Sequence, residues 1–221
     1  MQQRYVAVTN RHICYESHQE YVSLDLWREY YDMLRIASDV DRKKCASLLV
    51  QINKLSSDES IAFIVLREKD LSLEDYKALA ERACDICRAN GKKLMIHYYF
   101  EICDNQDGIQ LPIDRLRQIE ITKENRKAAD VLQGMLGVSV HSVREALEAQ
   151  EKGAAYVVAG NIYETDCKKG LAGKGLEYLR EICKAVAIPV YAIGGICDTN
   201  IDEVTETGAA GGCIMSGAMK L

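Results

Sequence analysis

Proline is scarce in this chain, two among 221 residues, and no stretch is built from a repeated or biased composition. With 48% hydrophobic and 28% charged residues, that excludes long disordered tracts and leaves an ordinary compact composition. No run of eighteen apolar residues occurs, so no membrane-spanning helix is expected. The opening Met1-Gln2-Gln3-Arg4 leads into a strand-like run and lacks the apolar centre of a secretory signal, which points to a cytoplasmic protein without a membrane partner. Clusters of Lys and Arg are missing too. The formal charge is -5 with the basic residues dispersed, which argues against a nucleic-acid partner.

Cysteine is not lacking: there are nine, an odd number, and most sit inside apolar patterns. A reducing compartment would keep them as thiols. Cys84 and Cys87 have the spacing of a redox pair or half a zinc site, but no second such pair or His pair accompanies them. Leu73, Tyr76, Ala80, Ala83, Cys84 and Cys87 share one helical face, so core packing is expected there and no metal site.

Short β-type runs alternate with helical patterns, the mark of successive βα units around a parallel sheet. The expected strands are Tyr5–Thr9, Ala62–Leu66, Leu94–Tyr98, Gly108–Leu111, Leu136–Val140, Tyr156–Ala159, Val190–Ile193 and Gly212–Met215. Helices are expected over Leu73–Ala89, Val143–Glu151, Leu176–Val186 and Ile201–Glu206. Eight strands with right-handed crossovers close most naturally into a (β/α)₈ TIM barrel, one domain over residues 1–221. Two departures are visible. Helical patterns at Leu24–Ala37 and Asp41–Lys54 exceed what one βα unit needs, so an extra N-terminal helical insertion is expected. Only Ser216 to Leu221 follow the last strand, which leaves a truncated eighth helix. The stripe of Leu24, Leu26, Trp27, Tyr30, Tyr31 and Leu34 is broad enough to cover that seam within the chain or to form a homodimer.

Four segments carry chemistry. Gly194-Gly195 ends strand seven, and Ser216-Gly217 ends strand eight; in a barrel these two loops form the usual phosphate site, although paired glycines also make plain tight turns. Arg67 and Lys69 follow strand two with the alternation that puts both on one side, as an anion clamp would need; a solvated loop neutralised by Glu68 and Asp70 is the plainer alternative. His141 closes strand five, where an imidazole would face the catalytic mouth as acid or base, whereas Ser142 with Glu145 has capping-box spacing. His12 and His18 fall in a polar loop, and His97 is either a second site residue or a packed one. A glycine-punctuated loop over residues 160–175 suits a flap that brings Thr165 and Lys168 to the site, or a simple surface loop.

Together these segments resemble the thiamine phosphate synthase superfamily: Arg67-Glu68-Lys69, Gly137-Val138-Ser139-Val140-His141-Ser142 and Ala192–Ile196 match its motifs in order. The resemblance implies a barrel enzyme that holds a phosphate on Gly194, Gly195, Ser216 and Gly217, with Arg67, Lys69, Ser139, Thr165 and Lys168 around the substrate. Two activities are implied by different branches. The synthase joins a pyrimidine pyrophosphate to a thiazole phosphate with magnesium, and uses acidic residues where this chain has His97-Tyr98 and Gln110-Leu111-Pro112. The thiazole tautomerase branch aromatises a phosphorylated thiazole carboxylate by proton transfer, without metal or other cofactor, and Glu164-Thr165-Asp166-Cys167-Lys168-Lys169-Gly170-Leu171 is similar to it. That branch implies His141 as the catalytic acid/base. The expectation is a tautomerase-like isomerase acting on a small phosphorylated thiazole, with the synthase as the alternative transferase and a non-catalytic phosphate binder as a third reading.

Overall fold

The computed structural model describes residues 3–102, 107–119, 135–165, 170 and 172–221. Eight parallel strands close into a barrel in sequential order, with β8 returning to β1. They are β1 (Tyr5–Val8), β2 (Ile61–Leu66), β3 (Lys93–His97), β4 (Gly108–Pro112), β5 (Met135–Val140), β6 (Tyr156–Gly160), β7 (Val190–Ile193) and β8 (Gly211–Ile214). The described helices are α1 (Arg11–Ser17), α2 (Asp25–Met33), α3 (Asp39–Ser57), α4 (Leu73–Ala89), α5 (Ile113–Gln118), α6 (Val143–Glu151), α7 (Gly175–Ala185) and α8 (Ile201–Glu206). The barrel and its insertion are as expected from the sequence. Among the described residues no helix is long and apolar enough to cross a membrane.

Strand alternation divides the core into two layers. Val6, Val8, Phe63, Val65, Met95, Tyr156, Val158 and Cys213 fill the barrel interior, with Phe63, Tyr156 and Tyr191 packed ring against ring. The alternate positions, such as Ala7, Ile64, Leu66, Ile96 and Val157, join the larger layer between sheet and helices. Cys84 and Cys87 are buried in that outer layer as thiols, as their helical spacing implies.

Several boundaries differ from the sequence reading, and three of the differences are consequential. The chain after β1 is not a polar loop: Asn10 accepts from the His12 and Ile13 amides and starts α1, which carries His12. His18 closes that helix and stacks on Tyr21 at 4.5 Å. A seven-residue polar helix shows too little periodicity to be read from sequence. Second, β3 ends at His97, because Tyr98 turns the backbone with φ 74°. Third, α2 stops at Met33 rather than at Ala37, and α3 extends to Ser57.

The seam beside β8 is closed from within the chain. Ala218 and Met219 are fully buried, and Gln51 of α3 donates to the Ala218 carbonyl at 2.7 Å while accepting from the Tyr21 hydroxyl at 2.6 Å. Trp27 of α2 is buried against α3, donating to the Ser47 hydroxyl at 2.9 Å. Its large burial should dominate the insertion: Trp27→Ser is expected to lower unfolding free energy by about 3–5 kcal/mol in a urea titration. A midpoint within error of the parent chain would show that the insertion is dispensable.

Candidate functional site

A cavity of about 380 Å³ opens at the C-terminal ends of the strands. Its walls are set by the same alternation. Counting on from Phe63 and Val65 of the barrel interior brings Arg67 and Lys69 inward, and counting on from Met95 brings in His97. In the same way Ser139 and His141 continue the inward face of β5, and Gly160 that of β6. Thr165, Gly194, Gly195, Ser216 and Gly217 also line the cavity, so it gathers every sequence-derived site residue except Lys168, which lies outside the described residues.

The alternation sends Glu68 the other way. It is 2% exposed and accepts from the Thr9 hydroxyl at 2.7 Å, the Arg11 amide at 3.1 Å and the Arg11 guanidinium at 3.3 Å. Arg11, equally buried, also grips Asp70 at 2.6 Å and Asp41 at 2.8 Å. This corrects the alternative in which Glu68 and Asp70 neutralise Arg67 and Lys69: both carboxylates belong to Arg11. Neither Arg67 nor Lys69 makes a side-chain ion pair among the described residues, so their charge is left to the cavity. Arg11 and its network were not predicted, since a buried arginine in a short polar helix leaves no sequence signal.

The cations act on their neighbour. Burial first, then Lys69 and Arg67, hold the His97 imidazole down to about 3. Burial, then Arg67, likewise lowers the Lys69 ammonium. His97 is therefore neutral, and its backbone is fixed by the Tyr76 hydroxyl, which accepts from the His97 amide at 2.8 Å and donates to the Leu66 carbonyl at 2.6 Å. An unfolded histidine takes up a proton near pH 6.5 and the folded one only near 3, so this group's stabilising effect is present above about pH 6.5 and is lost as pH falls towards 3. His97→Gln should flatten that part of the melting-temperature profile between pH 4 and 7 (roughly, the window between those two values). An unchanged acid slope would remove His97 as its source.

His141 stands at the rim, and its backbone is held from two sides. Its amide donates to the Glu145 carboxylate at 2.5 Å, and its carbonyl accepts from the Lys174 ammonium. Ser142 accepts from the Glu145 amide at 3.1 Å and caps α6, as its spacing implies. The His141 Nδ1 lies 3.4 Å from the Gly160 carbonyl, an acceptor only, so the tautomer with the proton on Nδ1 suits this contact and leaves Nε2 as the basic nitrogen.

The glycine end of the cavity is a turn of two left-handed residues, Gly194 at φ 107° and Gly195 at φ 67°. A β-carbon on Gly195 would stand 2.7 Å from the Tyr163 β-carbon, so both conformation and space require glycine. The Asn200 side chain pins the turn by donating to the Gly195 carbonyl at 2.8 Å and accepting from the Cys197 amide at 2.9 Å. Among the described residues the peptide N–H groups of Gly194, Gly195 and Gly217 have no acceptor, which leaves them to an anion. Gly217 itself meets nothing within 4 Å of a β-carbon, so a side chain would be tolerated there. Ser139 is partly engaged, accepting from Gln110 at 2.9 Å.

A family model described as thiamine monophosphate synthase matches residues 39–218. The chain belongs to that family. A thiamine-phosphate synthase of Clostridium acetobutylicum is 34% identical over 163 residues, 72% of this chain and 74% of that protein. One of Pyrococcus horikoshii is 46% identical over 115 residues, which span 52% of this chain and only about half, 53%, of that relative. Among solved structures, a thiamine phosphate pyrophosphorylase from Pyrococcus furiosus superposes with TM-score 0.69 at 24% identity, covering 99% of this chain and 88% of that one, which shows the shared barrel. The family resemblance read from the three motifs is thus correct.

The donor set also bears on magnesium. No carboxylate lines the cavity among the described residues, and no group of three acidic, His or Cys side chains there could hold a metal. A hard divalent ion takes oxygen ligands, carboxylates above all, so these described walls do not fit one.

Proposed function

We propose that the protein is a thiazole tautomerase-like isomerase, which aromatises a phosphorylated thiazole carboxylate by moving a proton from the ring to its exocyclic carbon. The observation that carries this reading is the pairing of a rim histidine, His141, with a cavity that holds two unneutralised cations and no described carboxylate. The phosphate rests on the free amides of the Gly194–Gly195 turn and of Gly217, and the cations Arg67 and Lys69 attract the substrate's negative groups. His141 Nε2 takes a proton at one end of the conjugated system and returns it at the other, while the phosphate grip keeps the ring in register. No cofactor takes part.

The second reading is the synthase, a transferase that joins hydroxymethylpyrimidine pyrophosphate to thiazole phosphate. The names of the relatives support it. One experiment separates the two: purified protein is given the dihydrothiazole carboxylate phosphate with and without EDTA, and separately both synthase substrates with magnesium. Isomerisation that EDTA leaves unchanged, with no condensation, is the expected result. Magnesium-dependent formation of thiamine phosphate without isomerisation would establish the transferase instead.

A further inference from the structure

Asn161 was not singled out by any motif, and it lies off the inward alternation that marks the other wall residues. It is 7% exposed, lines the cavity, and among the described residues neither its Oδ1 nor its Nδ2 has a hydrogen-bond partner. A buried amide without partners is unfavourable, because water would satisfy the same groups in the unfolded chain.

The backbone gives this side chain little freedom to escape. The Asn161 carbonyl accepts from the Lys174 amide at 2.8 Å, the Ile162 amide donates to the Ile193 carbonyl at 2.9 Å, and the Tyr163 amide donates to the Gly194 carbonyl at 3.0 Å. The amide packs on the phosphate turn: a β-carbon on Gly194 would come within 2.3 Å of Asn161 Oδ1. On the other side, a β-carbon on the preceding Gly160 would stand 3.9 Å from His141 Cε1. Asn161 therefore sits between the anion cradle and the acid/base, where the organic portion of a phosphate ester must pass if its phosphate is on one and its reacting atom at the other.

We propose that Asn161 is a specificity-determining residue, whose side-chain amide donates to an acceptor on the organic part of a phosphate ester and so separates the substrate from free phosphate. This rests on the reading that the cavity takes a phosphorylated thiazole carboxylate. An amide offers one donor group and one acceptor in a plane and carries no charge, so it selects by geometry without adding to the pull of Arg67 and Lys69. Inorganic phosphate, held on the glycine amides, has no organic part to accept from it.

The test uses Asn161→Leu, which keeps the size of the side chain and removes its polar atoms. Three quantities are read: the melting temperature without ligand, the Kd for inorganic phosphate and the Kd for the thiazole carboxylate phosphate. An unpartnered amide predicts a melting temperature equal to or above the parent's, phosphate affinity within about twofold, and an ester Kd raised about tenfold or more. Asn161→Ala serves as the control for bulk and should weaken the ester to a similar degree. An unchanged ratio of the two Kd values in both variants overturns the role of Asn161. So does a lowered melting temperature with both ligands weakened alike, which marks a structural amide, and so does weakening by Leu but not Ala, which marks steric obstruction. If the parent protein binds phosphate but not the ester, the substrate reading itself fails, and the ligand assigned to Asn161 fails with it.

Discussion

His141→Ala is expected to lower the rate of proton transfer by about 10²–10⁴-fold, the usual effect of removing a general acid/base. Substrate affinity should stay within about tenfold, because the phosphate grip lies on other strands. The split between kcat and KM follows from the architecture: the imidazole sits at the end of β5, whereas the proposed phosphate contacts, Gly194, Gly195 and Gly217, follow β7 and β8. Loss of the ring also leaves the supports of residue 141 in place, since Glu145 and Lys174 bind its backbone amide and carbonyl rather than its side chain. Steady-state kinetics at saturating substrate would check this, and a variant that keeps more than half the parent's activity would remove His141 from the chemistry.

Arg11→Met should be strongly destabilising although it does not touch the cavity. It strips Glu68 of its charge partner inside the outer core, and breaking a buried ion pair in this way typically costs about 3–5 kcal/mol. Its pH dependence has a definite sign. In the parent, Arg11 first, then His12, hold the Asp70 carboxyl well below the usual carboxylate range, so that contribution is present above about pH 4 and lost on acidification. Burial instead pushes the Glu68 carboxyl up, and the Thr9 and Arg11 contacts hold it down. Without Arg11 the upward push is unopposed by charge, so the variant is best tolerated below the ordinary glutamate value, about pH 4–5, and loses stability as pH rises. The deficit relative to the parent should therefore widen from about pH 5 to 8 in urea titrations. Adding Glu68→Gln, which keeps an acceptor for the Thr9 hydroxyl and for the backbone amide at position 11, should recover much of the loss. A deficit that is flat with pH, or no recovery in the double variant, would mean that the pair is not the source. Because Glu68 anchors the chain between Arg67 and Lys69, Arg11→Met should also weaken phosphate binding.

Much of this protein is legible before any coordinates are seen. The eight strands show themselves because each is a short apolar run bounded by turn residues, and α4, α6 and α8 fall on their expected residues because their apolar spacing is regular. The spacing of Ser142 and Glu145 marks the cap of α6. Most cavity residues were also legible, since a strand's alternation continues past its last ladder bond: Arg67 and Lys69 follow Val65 as surely as His97 follows Met95. Where local preference and the global fold agree, a linear pattern is enough.

Tertiary structure alone decided the rest. That Glu68 belongs to Arg11 and not to its neighbours in sequence depends on α1 folding back beside β2, with 57 positions separating the partners. The charge of the cavity follows from that pairing, because two carboxylates adjacent to Arg67 and Lys69 in the chain are removed from them in space. The lowering of His97 arises from burial and from cations on another strand, and the state of the Asn161 amide, unpartnered among the described residues, from its place against Gly194. Sequence patterns record what each residue does for its own element. Ion pairing, desolvation and an unsatisfied hydrogen bond are properties of the neighbours that closure of the barrel brings, and no local pattern encodes them.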